Sequence, residues 1–389
     1  MYLLGLLAGC YLYSVVLGDV HTIALKSYKK NGSSVEHSMD ESKLLSATFP
    51  KTHSLASSST PFIPLESDNN ILWYAEIFVG SGKGRQSFTV DVDTGSSDLF
   101  IPGVDCKSYC ANHAMFNPRL SPSAKMTNQE FTLQFADKSM VRGYTYLETV
   151  EMGGLKAKNQ VIGVSNEYSK GMDKSMFSPD GLLGLGFASL SKYRATPFLD
   201  TLYQQGEIDQ KMFGIYLNTA SDDPKERGEL TLGGYNQRMV TQKPIFTPVT
   251  SSKYWQIKFS QVLLAGKALA LNVEAIIDTG STLIITDNEF AEDFYSRVPG
   301  AKKLDGKHYV VPCNDIPKLQ FSIGKQVFTI NPNSFSFGKV EGADNLCYGG
   351  VVGSMEGRQD PWIVGGVFLS SVYSIFDADN RQIGFSQLA

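Results

Sequence analysis

From Thr60 onward, apolar and polar positions alternate in short runs, among them ILWYAEIFVG, QSFTVDVDTG, FTLQFADKS, YTYLETVEMGG, YWQIKFSQVLLAG and YSIFDADNRQIGF. Apolar side chains at every second position line one face of a strand, and turn residues interrupt the runs at intervals of about eight to twelve positions. This pattern predicts a mainly antiparallel all-β protein. Helices are expected to be few and short, such as 196–206 (TPFLDTLYQQG) and 287–298 (DNEFAEDFYSRV). Gly80-Ser81-Gly82-Lys83-Gly84 superficially suggests a phosphate loop, but its spacing is wrong and no Ser or Thr follows the lysine. It is expected to be a tight turn between two strands.

The amino-terminal region has a different texture. Residues 2–17 (YLLGLLAGCYLYSVVL) are apolar and uncharged, too short for a membrane span, and fit a secretory signal over 1–18, with Val16 and Gly18 as small residues near the cleavage point. No later run is apolar for long enough to span a bilayer. Residues 19–59 are polar, carry five lysines and end in a Ser-rich stretch suited to cleavage. The single N-glycosylation triplet, Asn31-Gly32-Ser33, falls there.

Composition narrows the chemistry. A chain of 389 residues exceeds one ordinary core and predicts two domains or a two-lobed one. Its 35 basic and 39 acidic side chains give a net charge of −4, which does not suit a nucleic-acid partner. Of five histidines, His21, His37 and His53 lie in the polar leader, leaving His113 and His308 for the working protein. A zinc or Ser-His-Asp hydrolase is poorly supplied, so carboxylates are the expected tools and neither metal nor cofactor is expected. Once Cys10 leaves with the signal, Cys106, Cys110, Cys313 and Cys347 remain, and an even number in an oxidising compartment predicts two disulfides. Three pairings are open; the preferred one is local, Cys106–Cys110 with Cys313–Cys347.

The most informative feature is a repeat. Val92-Asp93-Thr94-Gly95-Ser96-Ser97 recurs 185 residues later as Ile277-Asp278-Thr279-Gly280-Ser281-Thr282, each copy between apolar runs. If the halves pack about a pseudo-two-fold axis, Asp93 and Asp278 meet. Two carboxylates so close cannot both ionise easily, so the pair holds one proton between them and can clamp a water. The ionised member then takes a proton from that water while the protonated one polarises a carbonyl. Gly95 and Gly280 allow a tight backbone turn, and the hydroxyls of Thr94, Ser96, Thr279 and Ser281 are expected to hold the carboxylates coplanar.

On these residues the chain from about residue 60 to its end resembles the pepsin-like aspartic endopeptidases, fungal-type members included. Asp180-Gly181-Leu182-Leu183-Gly184-Leu185-Gly186-Phe187 and Trp362-Ile363-Val364-Gly365-Gly366-Val367-Phe368 look like the apolar-Gly segments behind the two motifs. Tyr254-Trp255-Gln256-Ile257, the Phe376-Asp377…Ile383-Gly384-Phe385 ending and the two local disulfides also match family positions. The resemblance implies a bilobal β fold, with lobes over 60–243 and 244–389, and a cleft binding protein or peptide substrates extended as an added strand. It implies Asp93 and Asp278 as the catalytic pair, Tyr254 and Thr282 among the substrate-binding residues, and acid endopeptidase activity of a monomer. It implies a zymogen whose prosegment (19–59) inhibits the cleft through a lysine, with Lys51 favoured, and a secreted, vacuolar or lysosomal destination. The rival from another class is a catalytically impaired relative that only binds peptides.

Four departures from the family pattern stand out. Phe135 takes the place of the flap Tyr and Phe100 that of its Trp partner, so both ends of one hydrogen bond are replaced together. Ala136 and Lys138 replace flap glycines, which suggests a stiffer hairpin. Asp91 and Asp137 fall at positions that border the first specificity pocket in the family, so the resemblance implies a preference for large apolar residues there, with Lys as an expected alternative. Gly366 stands where many relatives carry Asp, so a nearby anion is removed and the dyad ionises more easily.

Overall fold

The computed structural model describes residues 12–17, 20–25, 62–68, 72–135, 138–217, 228–340, 342–353 and 361–388. Most of the expected leader and prosegment, with Lys51 and Asn31, lies outside the described residues. So do Ala136 and Asp137. Leu12–Leu17 and Val20–Leu25 pair as an antiparallel two-stranded sheet. No helix among the described residues is long and apolar enough to cross a membrane.

The body is a bilobal β structure of the pepsin-like kind, with few short helices. Both expected helices are present, as Phe198–Gln204 and Asn288–Ser296. The Asp287 side chain caps the second by accepting from the Phe290 amide. The glycine-rich stretch is a turn: Gly82–Gly84 forms a single 3-10 turn between Leu72–Val79 and Gln86–Asp93, which pair with Val79 opposite Gln86.

Each lobe repeats one unusual strand arrangement. In the first, Gln86–Asp93 leads into the first motif and Leu99–Pro102 leaves it, yet the two strands are not neighbours. Gly181–Gly184 lies between them, parallel to the former and antiparallel to the latter. In the second, Trp362–Val364 lies between Lys267–Ile277 and Ile284–Thr286 with the same senses. An outer strand then runs parallel to each exit strand, Leu155–Tyr168 in one lobe and Val351–Gly353 in the other. The two apolar-Gly segments thus occupy equivalent positions. A motif loop that must pass around an inserted strand is fixed at both ends.

Alternation supplies the cores. Trp73, Ala75, Ile77 and Val79 are buried on one strand, facing Phe88, Val90 and Val92 from its hairpin partner. Ile257 and Phe259 do the same with Val273, Ala275 and Ile277 in the second lobe. Each buried Val, Ile or Phe among these contributes roughly 1.5–3 kcal/mol, and slipping either hairpin by one residue would turn its entire apolar set outward. Beneath the lobes runs a six-stranded sheet whose central pair, Met212–Leu217 with Val372–Asp377, joins them. Disulfides link Cys106 to Cys110 and Cys313 to Cys347, the local pairing preferred from the sequence.

Candidate active site

The two motif loops meet where the lobes touch. The Thr94 amide donates to Thr279 Oγ1 at 3.0 Å and the Thr279 amide donates to Thr94 Oγ1 at 3.0 Å. The Thr94 hydroxyl donates to the Ile277 carbonyl at 2.9 Å and the Thr279 hydroxyl to the Val92 carbonyl at 2.6 Å. These four bonds are buried and related by the pseudo-two-fold axis. They correct one sequence expectation. The threonines do not hold the carboxylates; they tie each motif to the backbone of the other lobe, because their hydroxyls donate to the Ile277 and Val92 carbonyls.

The carboxylates are held within their own motifs. Asp93 Oδ1 accepts from the Gly95 amide at 2.7 Å, and its Oδ2 accepts from the Ser96 hydroxyl. Asp278 Oδ1 accepts from the Gly280 amide at 3.1 Å and Oδ2 from the Ser281 hydroxyl at 2.5 Å. Both residues are buried and within hydrogen-bonding reach of each other. The glycines make this approach possible. A Cβ on Gly95 would lie 2.6 Å from Asp278 Oδ1, and one on Gly280 would lie 2.5 Å from Asp93 Oδ1. Each half therefore leaves space for the acid of the other.

Burial raises both carboxyls. For Asp93 the rise is moderated by hydrogen bonds from Ser96, Gly95 and Gly280. For Asp278, burial and then the charge of Asp93 push the carboxyl well above its ordinary range. Two carboxyls raised together at this separation hold one proton between them more readily than they lose both.

A cavity of about 680 Å³ opens over the pair, bordered by Asp93, Asp278, Asp91, Phe135, Tyr254 and Phe177 among others. The flap above it is the hairpin Lys125–Gln134 with Met140–Met152, closed by the Phe135 amide donating to the Ser139 carbonyl. The Phe135 and Phe100 rings pack together with centroids 5.8 Å apart, and Phe100 is sealed from behind by Tyr168. Lys138 holds φ +65°, a left-handed conformation in which glycine would be unstrained. Tyr254 is half-buried, with its phenol raised by burial and by Asp278. Thr282 lies buried below the motif, its carbonyl accepting from the Val367 amide, and does not border the cavity.

Two features were missed at the sequence level. Trp73 fills the space above Gly366: a Cβ there would lie 2.8 Å from the Trp73 ring. A large side chain on one lobe opposite a missing one on the other is the signal, but only the fold pairs them. Asp98 is buried and accepts from the Ser191 hydroxyl at 2.6 Å and the Lys192 amide at 2.7 Å, pinning a loop of the cleft wall. No group of three or more metal-ligating side chains occurs among the described residues.

The eukaryotic aspartyl protease family model matches residues 73–388. The chain is 33% identical to an aspartic protease of Phaffia rhodozyma, over 81% of this chain and 76% of that protein. It is 33% identical to gastricsin of Cavia porcellus, over 80% and 79% of the two chains. Against pepsin A of Rhinolophus ferrumequinum it is 30% identical over 98% and 97%. With two Asp-Thr-Gly loops interlocked at the base of a cleft between equivalent lobes, this chain belongs to the eukaryotic aspartyl protease family and is an aspartic endopeptidase.

Proposed function

We propose that Asp93 and Asp278 share one proton and hold a water, Asp93 acting first as base and Asp278 as acid, to hydrolyse peptide bonds in acid. The observation that carries this assignment is reciprocal: each motif glycine leaves space for the opposite carboxyl, so the two acids sit together in an enclosed site. In the first step Asp93 takes a proton from the water. The resulting oxygen attacks the scissile carbonyl, and Asp278 gives its proton to the carbonyl oxygen. Collapse of the tetrahedral diol expels the amine, which takes the proton Asp93 gained, while Asp278 recovers its own from the collapsing diol. The saturated support of both carboxyls counts against a peptide-binding relative without catalysis.

Substrates bind extended as an added strand, with large apolar residues flanking the cut bond, consistent with the apolar side chains Leu72, Leu133, Phe177 and Leu182 around the cavity. Lysine before that bond is tolerated where the neighbouring flap carboxyl, Asp137, ionises to meet it. Phe135 and Tyr254 contact substrate, with Thr282 supporting that wall from below. The protein is made with a signal over 1–18 and an inhibitory prosegment over 19–59 that sets Lys51 against the dyad. Its lobes span 60–243 and 244–389, and it works as a monomer, secreted or in a vacuole or lysosome. Acid activates it by protonating the carboxylates that hold the lysine.

The test is incubation of the purified precursor at pH 3–5 with a quenched peptide. Prosegment release followed by cleavage that a statine-type transition-state mimic blocks is the expected outcome. Cleavage insensitive to that mimic, or none after prosegment removal, rejects the assignment.

A further inference from the structure

Asp91 is a third carboxyl in the same cavity, with a different environment from the other two. It stands two residues before Asp93 on Gln86–Asp93, so both project from one face of the strand. Asp91 is 2% exposed, and its Oδ1 has no hydrogen-bond partner among the described residues. The oxygens of Asp93 and Asp278, by contrast, all accept from a glycine amide or a serine hydroxyl. Asp91 borders the same cavity as the apolar side chains Leu72, Phe177 and Leu182, and Leu182 lies beside it on the adjoining parallel strand. A buried polar atom left unpaired costs stability unless a ligand meets it.

The remaining charged and titratable groups around this cavity are Asp93, Asp98, Asp278, Lys138, Lys192 and Tyr254, and Tyr74 stands opposite Asp91 on the neighbouring strand. Burial, then the charges of Asp93 and Asp278, hold the Asp91 carboxyl well above its ordinary range, with the Val92 backbone acting weakly against them. Asp91 is therefore a neutral acid over the acid range, able both to donate and to accept one hydrogen bond.

We propose that Asp91 is a specificity-determining residue that selects tyrosine over phenylalanine at the position before the scissile bond, by pairing its carboxyl with the phenol hydroxyl of a ring bound against the apolar side chains of this cavity. An aromatic ring suits the apolar wall, and its para hydroxyl supplies the partner that Asp91 lacks. Phenylalanine fills the same space but leaves the carboxyl unpaired, the kind of mismatch that polar sites reject. Lysine would require Asp91 to ionise beside Asp93. This inference rests on the endopeptidase mechanism and pocket assignment proposed above.

The experiment compares kcat/KM for matched peptides with Tyr, Phe, 4-methoxyphenylalanine or Lys before the cut bond, at pH 3–5. In the wild type, Tyr is expected to exceed Phe by about three- to tenfold, the range of one net hydrogen bond. The ratio should stay level over that pH range, and the methoxy peptide should fall to the Phe value or below. Asp91→Val should bring the Tyr/Phe ratio to about one, and Asp91→Asn, which still donates and accepts, should retain part of it. Equal wild-type rates for Tyr and Phe, an unchanged ratio in Asp91→Val, or preference for Lys would each overturn the inference. If Asp91→Val does not fold, the wild-type series and Asp91→Asn decide. Cleavage of none of the peptides would instead overturn the endopeptidase mechanism.

Discussion

At the scale of single residues, the proposed mechanism gives the two aspartates different tasks although their local supports match. Burial raises both carboxyls, and the charge of one opposes ionisation of the other, so the pair retains a proton that the mechanism places on Asp278. Asp93→Asn and Asp278→Asn should therefore each lower kcat by at least about 10³-fold, near the upper end of what a positioned acid or base supplies. Thermal melting should stay close to wild type, because the Asn oxygen still accepts from the glycine amide while its NH2 donates to the serine hydroxyl, which can turn to accept. A variant within tenfold of wild-type kcat would remove that residue from the mechanism. Both aspartates were legible in the sequence because the motif repeats and the chemistry needs two of them. The Thr94–Thr279 bonds were not, since hydroxyl direction depends on backbone geometry that the motif letters do not encode.

At the scale of elements, the flap is held by rings rather than by a hydrogen bond. Phe135 and Phe100 meet directly, and Phe100 is fully buried against Tyr168. Phe135→Tyr alone, or Phe100→Trp alone, should slow turnover or destabilise by about 1–3 kcal/mol, since each adds a polar group without its partner. The double variant should recover that loss, with a coupling of about 1 kcal/mol in a double-mutant cycle on kcat/KM. Strictly additive effects would show that the two positions do not communicate. Strand and helix positions were readable from the sequence because alternation and a capped amphipathic run are local. The insertion of Gly181–Gly184 and Trp362–Val364 between entry and exit strands was not, because those pairings join segments about 90 residues apart.

At the scale of the molecule, burial of acids favours low pH. Asp91, Asp93, Asp98 and Asp278 all have carboxyls raised first by burial. Their folded pKa values exceed the unfolded ones, so below the ordinary carboxylate range they cost nothing, and stability drains as pH rises through the raised values. Asp180 has the opposite sign. Burial works against its charge, but hydrogen bonds from His113, Lys174, Thr89 and Ala114 outweigh it and hold the carboxyl far below its usual range. Its contribution is complete above the unfolded pKa and is lost only as pH falls through that depressed value. Tm should thus be higher at pH 4–5 than at pH 7.5, and Asp98→Asn should narrow the gap. Scanning calorimetry giving a wild-type maximum at neutral pH would contradict this balance.

The six-stranded sheet under the cleft has a consequence for how the chain is made. Three of its strands come from residues before 243 and three from residues after it, and the seam is the pairing of Met212–Leu217 with Val372–Asp377. As the polypeptide leaves the ribosome, the earlier lobe must wait for the very last strands with a bare, ladder-ready border exposed. Losing a short tail, far from the aspartates in sequence, would strip the floor from both halves at once.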